Sequence, residues 1–216
     1  MEQFLLPLFP LETVLLPGEV LPLHIFEERY QVMIRECLAH PARETRHGEF
    51  GVVLSKETEI SNVGCTAKVI ELKRKYPDGR MDILTEGKRR FEVLFTDEEK
   101  IYLRAGVEFF EDDPASAPPT GGEAQRVLEL LQEAMKRLRD PRQLNTPPSP
   151  PYHNLSFQIA ALLPFGLEFR ERLLSLRQER ERLLKIAEEI KQLIPQLDRT
   201  IALERIAKGN GHPWIR

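Results

Sequence analysis

The chain has 216 residues, 31 Lys+Arg against 34 Asp+Glu, a net charge of -3, 41% hydrophobic and 30% charged residues. This balance excludes a globally disordered chain, and the length suits one or two domains that bury a core without disulfide staples. Two cysteines, Cys37 and Cys65, exclude a disulfide-rich secreted scaffold and point to a reducing, cytoplasmic setting.

The opening MEQFLLPLFPLETVLLPG is apolar but carries Glu2 and Glu12 and is broken by Pro7, Pro10 and Pro17. It reads as extended chain rather than a signal peptide. No run of about 18 apolar residues follows, so no membrane-spanning helix is expected. Residues 3–9, 13–16 and 20–25 read as extended segments. Their prolines should keep them out of central, fully paired strand positions, except at strand starts or bulges. The period then changes. Phe26, Tyr30, Met33, Ile34, Cys37 and Leu38 recur at spacings of three and four, which predicts an amphipathic helix over 26–39. Glu27 and Glu28 in its first turn suit the helix dipole, and His40-Pro41 ends it. Strands are predicted at 50–55, 64–76, 80–87, 89–97 and 101–110. Pro77-Asp78-Gly79 forms a hairpin turn, because proline presets φ and glycine takes positive φ. Six or seven short strands with one inserted helix are the pattern of a small closed or nearly closed barrel.

Two proline-rich stretches, 112–122 and 140–152, punctuate the remainder. Before the first, residues 1–114 carry 15 Lys+Arg and 22 Asp+Glu, net -7; residues 115–216 carry 16 and 12, net +4. Strands followed by helices predict an α+β chain, with a β domain over 1–114 and a helical domain over 121–210. Helices are expected at 121–140, at 155–163 with Asn154 as cap, at 167–175 and at 178–208. Leu183, Ile186, Ile190, Leu193, Leu197 and Ile201 share one face of the last, and Pro195 should kink or end it. The tail GNGHPWIR should fray. The apolar stripes predict a helical bundle. The alternative is that Leu183–Ile201 pairs with a second copy, as a homodimer.

Little in the sequence carries catalysis. The only Gly-Lys pair, Gly87-Lys88, has Asp82 five residues before it and Arg89 after it, so there is no phosphate-binding loop. No serine lies in a G-x-S-x-G setting, and Ser55-Lys56 points to opposite faces of a strand. Cys37, His40, Glu44 and His47 lie within eleven residues, but a helix end and a charged loop explain them as well as a metal would. His24 reads as a core or pocket-edge histidine. No catalytic, cofactor or metal residue is assigned. Lys73, Arg74, Lys75, Arg80, Lys88, Arg89 and Arg90 flank the predicted hairpin; they form either a solvated surface or a phosphate-binding patch.

The run LPLFPLETVLLPGEVLPLHIFEERYQVMI (6–34) resembles the opening of the Lon protease N-terminal, substrate-binding domain. VGCTAKVIELKRKYPDGRMDILTEGKRRFEV (63–93) is similar to that family's second signature, with Gly64, Pro77-Asp78-Gly79, Gly87 and Arg90-Phe91 in order. LEFRERLLSLRQERERLLKIAEEI (167–190) resembles its helical part. The resemblance implies a PUA-like small β-barrel with one inserted helix, followed by an α-helical bundle. It also implies a recognition module, since nothing here resembles the family's ATPase or Ser-Lys peptidase modules; the chain is expected to be a standalone copy and not an enzyme. The implied partners are unfolded or hydrophobic polypeptide segments, with a protease adaptor as one form of that role and no cofactor or membrane. Strand addition at a proline-broken edge is the expected mode, with Leu23, Phe26, Glu27, Glu28, Arg29 and Tyr30 as candidate contacts. Packing of Phe26 and Tyr30 onto the barrel is the alternative for those two. Two other functions stay open: RNA binding by the basic hairpin, as PUA-like barrels resemble RNA-binding modules, and an ATP-independent peptidase.

Overall fold

A computed structural model describes residues 5–39, 48–56, 59–138 and 154–209. His40, Glu44, His47, His153, His212, the proline-rich stretch 141–151 and the tail lie outside the described residues. The elements run β1 (Leu6–Leu11), β2 (Val20–Ile25), α1 (Glu28–Ala39), β3 (Glu49–Lys56), β4 (Glu59–Lys75), β5 (Met81–Asp97), β6 (Arg104–Phe110), α2 (Gly121–Met135), α3 (Leu155–Leu162), α4 (Leu167–Ser175) and α5 (Glu179–Gly209). The chain divides into two compact units. One holds the residues up to Asp113 together with Pro164–Arg177; the other holds Pro114–Leu163 and the chain from Gln178 onward.

In the first unit β3, β4, β5, β6 and β1 pair in a ring, with β1 parallel to β3 and every other pair antiparallel. This is the expected near-closed barrel. Its core holds Leu6 and Leu8 from β1, Val53 from β3, Phe91 from β5 and Ala105 from β6. Phe91 reaches across because two strands have glycine beneath its ring. A methyl group on Gly51 or Gly64 would stand 2.6 Å or less from the Phe91 Cζ, and one on Gly64 would also stand 2.7 Å from the Val52 carbonyl oxygen. The predicted strands at 80–87 and 89–97 are a single strand, β5. Its first half pairs with β2 (Val20↔Glu86 to Ile25↔Met81) and its second half with β6 (Arg90↔Phe110 to Asp97↔Arg104).

The prolines of β1 require a correction. β1 lies between β3 and β6 rather than away from paired positions, but it meets them in succession. Leu6 and Pro7 pair with β6, and Leu8–Leu11 with β3. Each stretch is therefore a local edge, which is where proline is tolerated. Residues 13–16 are not a strand.

Pro22 follows the rule directly, since among the described residues β2 pairs only with β5. Gly87 N–H donates to the Glu19 carbonyl at 2.9 Å. Alternation by two then turns the backbone groups of Leu21 and Leu23 toward β5 and those of Val20, Pro22 and His24 toward the open edge. The missing N–H of Pro22 thus falls on the open side.

α1 buries Tyr30, Met33, Ile34 and Cys37. Tyr30 packs on Phe9, ring centroids 4.0 Å apart. α4 docks on the barrel through two polar clasps. Glu171 accepts from Lys56 Nζ at 2.6 Å and Ser61 Oγ at 2.7 Å, and Arg170 donates to the Val14 carbonyl and pairs with Glu19. Arg90, buried, pairs with Asp112 and donates to the carbonyls of Leu174 and Leu176.

In the second unit Thr120 and Glu123 form a capping box at the start of α2, and Arg180 clamps the same carboxylate at 2.7 Å. Those contacts, Arg180 first, hold the Glu123 carboxyl down at about 2. Arg182, fully buried, pairs with Glu179 and donates to Ser156 Oγ; Ser156 in turn donates to Glu179. Asn154 stands at the predicted cap position of α3, but in a left-handed conformation (φ 51°) and without a side-chain cap bond. Its carbonyl instead accepts from Phe157 and Gln158. α5 runs through Pro195 without ending. Among its described side chains the last buried position is Ile190; Leu193, Leu197 and Ile201 are half-buried.

Gly64→Ala should destabilise the protein by about 2 kcal/mol or more, because overpacking leaves the Phe91 ring no alternative site. A methyl group at Gly122 in the first turn of α2 meets open space, so Gly122→Ala should be neutral or stabilising. Thermal and urea unfolding of the two variants checks both signs.

Candidate functional site

The β4–β5 hairpin has 17 residues in each strand. Pro77-Asp78-Gly79 turns it as predicted. Gly79 has φ 91°, and Tyr76 N–H donates to the Arg80 carbonyl at 2.9 Å. Gln31 of α1 abuts Gly79 and donates to the Phe26 carbonyl at 3.0 Å. One α1 side chain thus reaches both the hairpin tip and the backbone that leads into the helix. Tyr30 and Gln31 N–H groups donate to the Glu27 carbonyl, starting the helix there.

This arrangement separates the candidate contacts. Tyr30 is buried and packs in the core against Phe9. Phe26 is the reverse, with 62% of its surface exposed. Leu23 and Glu27 are half-buried, while Glu28 and Arg29 are exposed, Arg29 paired with Glu27 at 2.7 Å. On the solvent face of β2, Val20, Pro22 and His24 are exposed in alternation. Register places Leu84 beside Pro22, and Asp82 between His24 and Arg74.

His24 is therefore not a core histidine. Its Nδ1 lies 2.6 Å from Asp82 Oδ1, and Tyr76 donates its hydroxyl to Asp82 Oδ2 at 2.8 Å. The His24 ring stacks near Phe26, 6.1 Å between centroids and 21° between planes, and meets Tyr76 edge-on at 6.0 Å. Arg74 and Arg80 lie over the Tyr76 ring at 4.6 and 5.1 Å. Sequence reasoning missed this cluster. Tyr76 and Asp82 flank the turn six residues apart, a local signal that sequence reasoning did not use. His24 joins them only through a pairing 58 residues distant.

The seven basic residues do not act as one patch. Arg90 is buried. Arg89 pairs with Glu49 at 3.0 Å and lies over the Phe109 ring at 4.0 Å. Lys88 pairs with Glu86, and Arg80 with Asp78. Lys73, Arg74 and Lys75 stay exposed at the far end of β4 and form no ion pair among the described residues.

Burial pushes the Cys37 thiol up to about 12 and raises that of Cys65 as well, so both are held as unreactive thiols. Among the described residues no three His, Cys, Asp or Glu side chains gather as a metal site, and no helix is long and apolar enough to cross a membrane.

Residues 5–192 match the family model of the ATP-dependent protease La (LON) substrate-binding domain. Among curated relatives, Lon protease 2 of Herpetosiphon aurantiacus is 26% identical over 205 residues, covering 89% of this chain and 24% of that protein. The chain thus spans about a quarter of that relative's length. Two solved structures share the fold. A Lon N-terminal domain protein from Xanthomonas campestris aligns with a TM-score of 0.62 at 22% identity, covering 84% of this chain and 96% of that one. The N-terminal domain of Mycobacterium avium complex Lon protease aligns with a TM-score of 0.59 at 19% identity, covering 87% and 98%.

The hydrogen bond from His24, and secondly that from Tyr76, holds the Asp82 carboxyl below the usual carboxylate range. The native state therefore binds this proton less tightly than the unfolded chain. The contribution to stability is present above the ordinary carboxylate pKa and is lost as pH falls through the depressed native value. Carboxyl-carbon NMR should show a low Asp82 midpoint that His24→Ala raises more than Tyr76→Phe does. Both thiols should react with a disulfide reagent about a hundredfold more slowly in the native protein than after unfolding.

Proposed function

The chain belongs to the substrate-binding domain family of the ATP-dependent protease La (LON), and on that footing we propose that it captures unfolded or apolar polypeptide segments at the outer edge of β2. The observation that carries this is Phe26. A large apolar ring with 62% of its surface in water stands at the end of a strand whose second edge bears no strand among the described residues.

The physical scheme has two parts. An extended segment placed beside β2 meets outward backbone groups at Val20 and His24, with a gap in donors at Pro22, so it gains main-chain hydrogen bonds without regard to sequence. Apolar side chains of the segment meet Val20, Pro22 and Phe26, which supply contact area. The contact needs no cofactor. Glu28 and Arg29, exposed beside Phe26, form a charged rim. Of the six contacts predicted from sequence, Tyr30 acts indirectly by anchoring α1 on Phe9. Capture is connected to proteolysis here because the curated relative bears the name Lon protease 2.

Binding of a fluorescent, permanently unfolded apolar peptide, followed by anisotropy, tests the scheme. Phe26→Ser should weaken binding about tenfold, from the lost apolar contact. Val20→Pro should weaken it roughly fivefold by removing an outward N–H that β5 does not use. Both variants should melt within a few degrees of the parent. Unchanged affinity in the two variants, with normal folding, would remove β2 from the reading.

A further inference from the structure

We infer that the outer arm of the β4–β5 hairpin makes this capture selective for polypeptide segments in which acidic residues stand close to a large apolar residue. The inference rests on the capture reading above and concerns which segments are held.

Charge distribution carries it. The cations of the first unit are largely committed to carboxylates, as in Lys56–Glu171, Arg104–Asp97 and Arg177–Glu92. Lys73, Arg74 and Lys75 depart from this as a run, where Arg35, Lys68 and Arg172 do so singly. The three in the run are consecutive, all exposed, and without an ion pair among the described residues. The carboxylates on the same arm are engaged elsewhere: Asp78 with Arg80, Asp82 with His24 and Tyr76, Glu86 with Lys88. Glu71 on the same strand and Asp82 across from Arg74 are the carboxylates that oppose the three cations, neither of them in an ion pair with them. The Tyr76 ring carries the Arg74 guanidinium, and Asp82 opposite attracts it through space without an ion pair, so its N–H donors remain available for a carboxylate.

Register supplies the distance. Arg74 pairs with Asp82, and Asp82 with His24. Arg74 is thus two strands from β2 and three, about 14 Å, from a segment on the outer edge of β2, which an extended peptide leaving that edge at Phe26 covers in roughly four or five residues. Leu72 and Ile70 on the same strand are exposed apolar neighbours of the cations. A segment whose apolar residue rests at Phe26 brings a carboxylate a few residues away within reach of Arg74, which shares a sheet face with Asp82 and His24, while Lys75, opposite Met81, adds charge from the other face. Nucleic acid fits the surface less well. Residues 1–114 carry net -7, which opposes a polyanion at long range, whereas one or two carboxylates are felt only locally.

The test uses the full chain and three peptides of equal length with the same aromatic core, flanked by Asp, Ser or Lys. At low salt the Asp-flanked peptide should bind about fivefold to tenfold more tightly than the Lys-flanked one, and about 0.5 M salt should erase most of the difference. The triple variant K73E/R74E/K75E should invert the order, while Phe26→Ser weakens all three peptides alike. Should the triple variant fold poorly by circular dichroism, Arg74→Gln alone should still narrow the difference. Equal affinity for all flanks, or an order that these variants leave untouched, overturns the selectivity while leaving capture standing. Failure of every peptide to bind overturns capture and the inference together. Tighter binding of a single-stranded RNA oligonucleotide, displaced by the Asp-flanked peptide, would make the arm a phosphate surface and overturn the inference.

Discussion

The barrel depends on one ring lying on bare backbone. Phe91 leans from β5 over Gly51 of β3 and Gly64 of β4, and its other neighbours, Leu6, Leu8 and Ala105, come from β1 and β6. Five strands converge on that side chain. Close packing at this density leaves no room for an added methyl group, so strand spacing and side-chain volume are fixed together. β5 is the strand that does two jobs. Its second half closes the ring with β6, and its first half leaves the ring to carry β2. The site is therefore built from the same continuous backbone as the core, and its position is inherited from the packing of Phe91.

Much of this was legible from residue patterns. The hairpin turn followed from Pro77-Asp78-Gly79, where both special residues meet their backbone requirements. The helix predicted over 26–39 followed from spacing and runs from Glu28 to Ala39; Tyr30, Met33, Ile34 and Cys37 of the predicted stripe are buried, while Leu38 is exposed and the polar Gln31 is buried. What stayed hidden depended on partners distant in sequence. Arg90 looked like one more cation in a basic run, yet it is buried against Asp112 and two carbonyls more than eighty residues along the chain. Nothing within a local window distinguishes it from Lys75, which is exposed. The prolines of β1 misled for a related reason. Local rules correctly barred a strand paired on both sides along its length, but could not foresee one that changes partner at Leu8.

The candidate site shows the same limit at finer scale. Phe26 and Tyr30 are four residues apart and equally apolar in a helical projection. The helix starts at Glu28, so Phe26 lies outside its turn while Tyr30 lies within it. Gln31 then fixes the Phe26 backbone from below, and the ring is left in water. A similar division runs along the hairpin. Where its strands line the barrel, Lys88, Arg89 and Arg90 are matched by carboxylates; toward the tip, the consecutive Lys73, Arg74 and Lys75 form no ion pair among the described residues. An uncompensated run of charge beside exposed apolar rings costs stability in isolation, through self-repulsion and poor burial.

A sheet margin open to a guest strand is equally open to the same margin of an identical molecule, and that is how stacked fibrils begin. Pro22 lies in the middle of β2 with its donor missing on the open side. A continuous ladder between two copies would lack a rung on each strand at the point of greatest overlap, while a short visitor can grip on either side of the gap and leave again. One ring-closed residue thus permits temporary company and discourages permanent self-attachment.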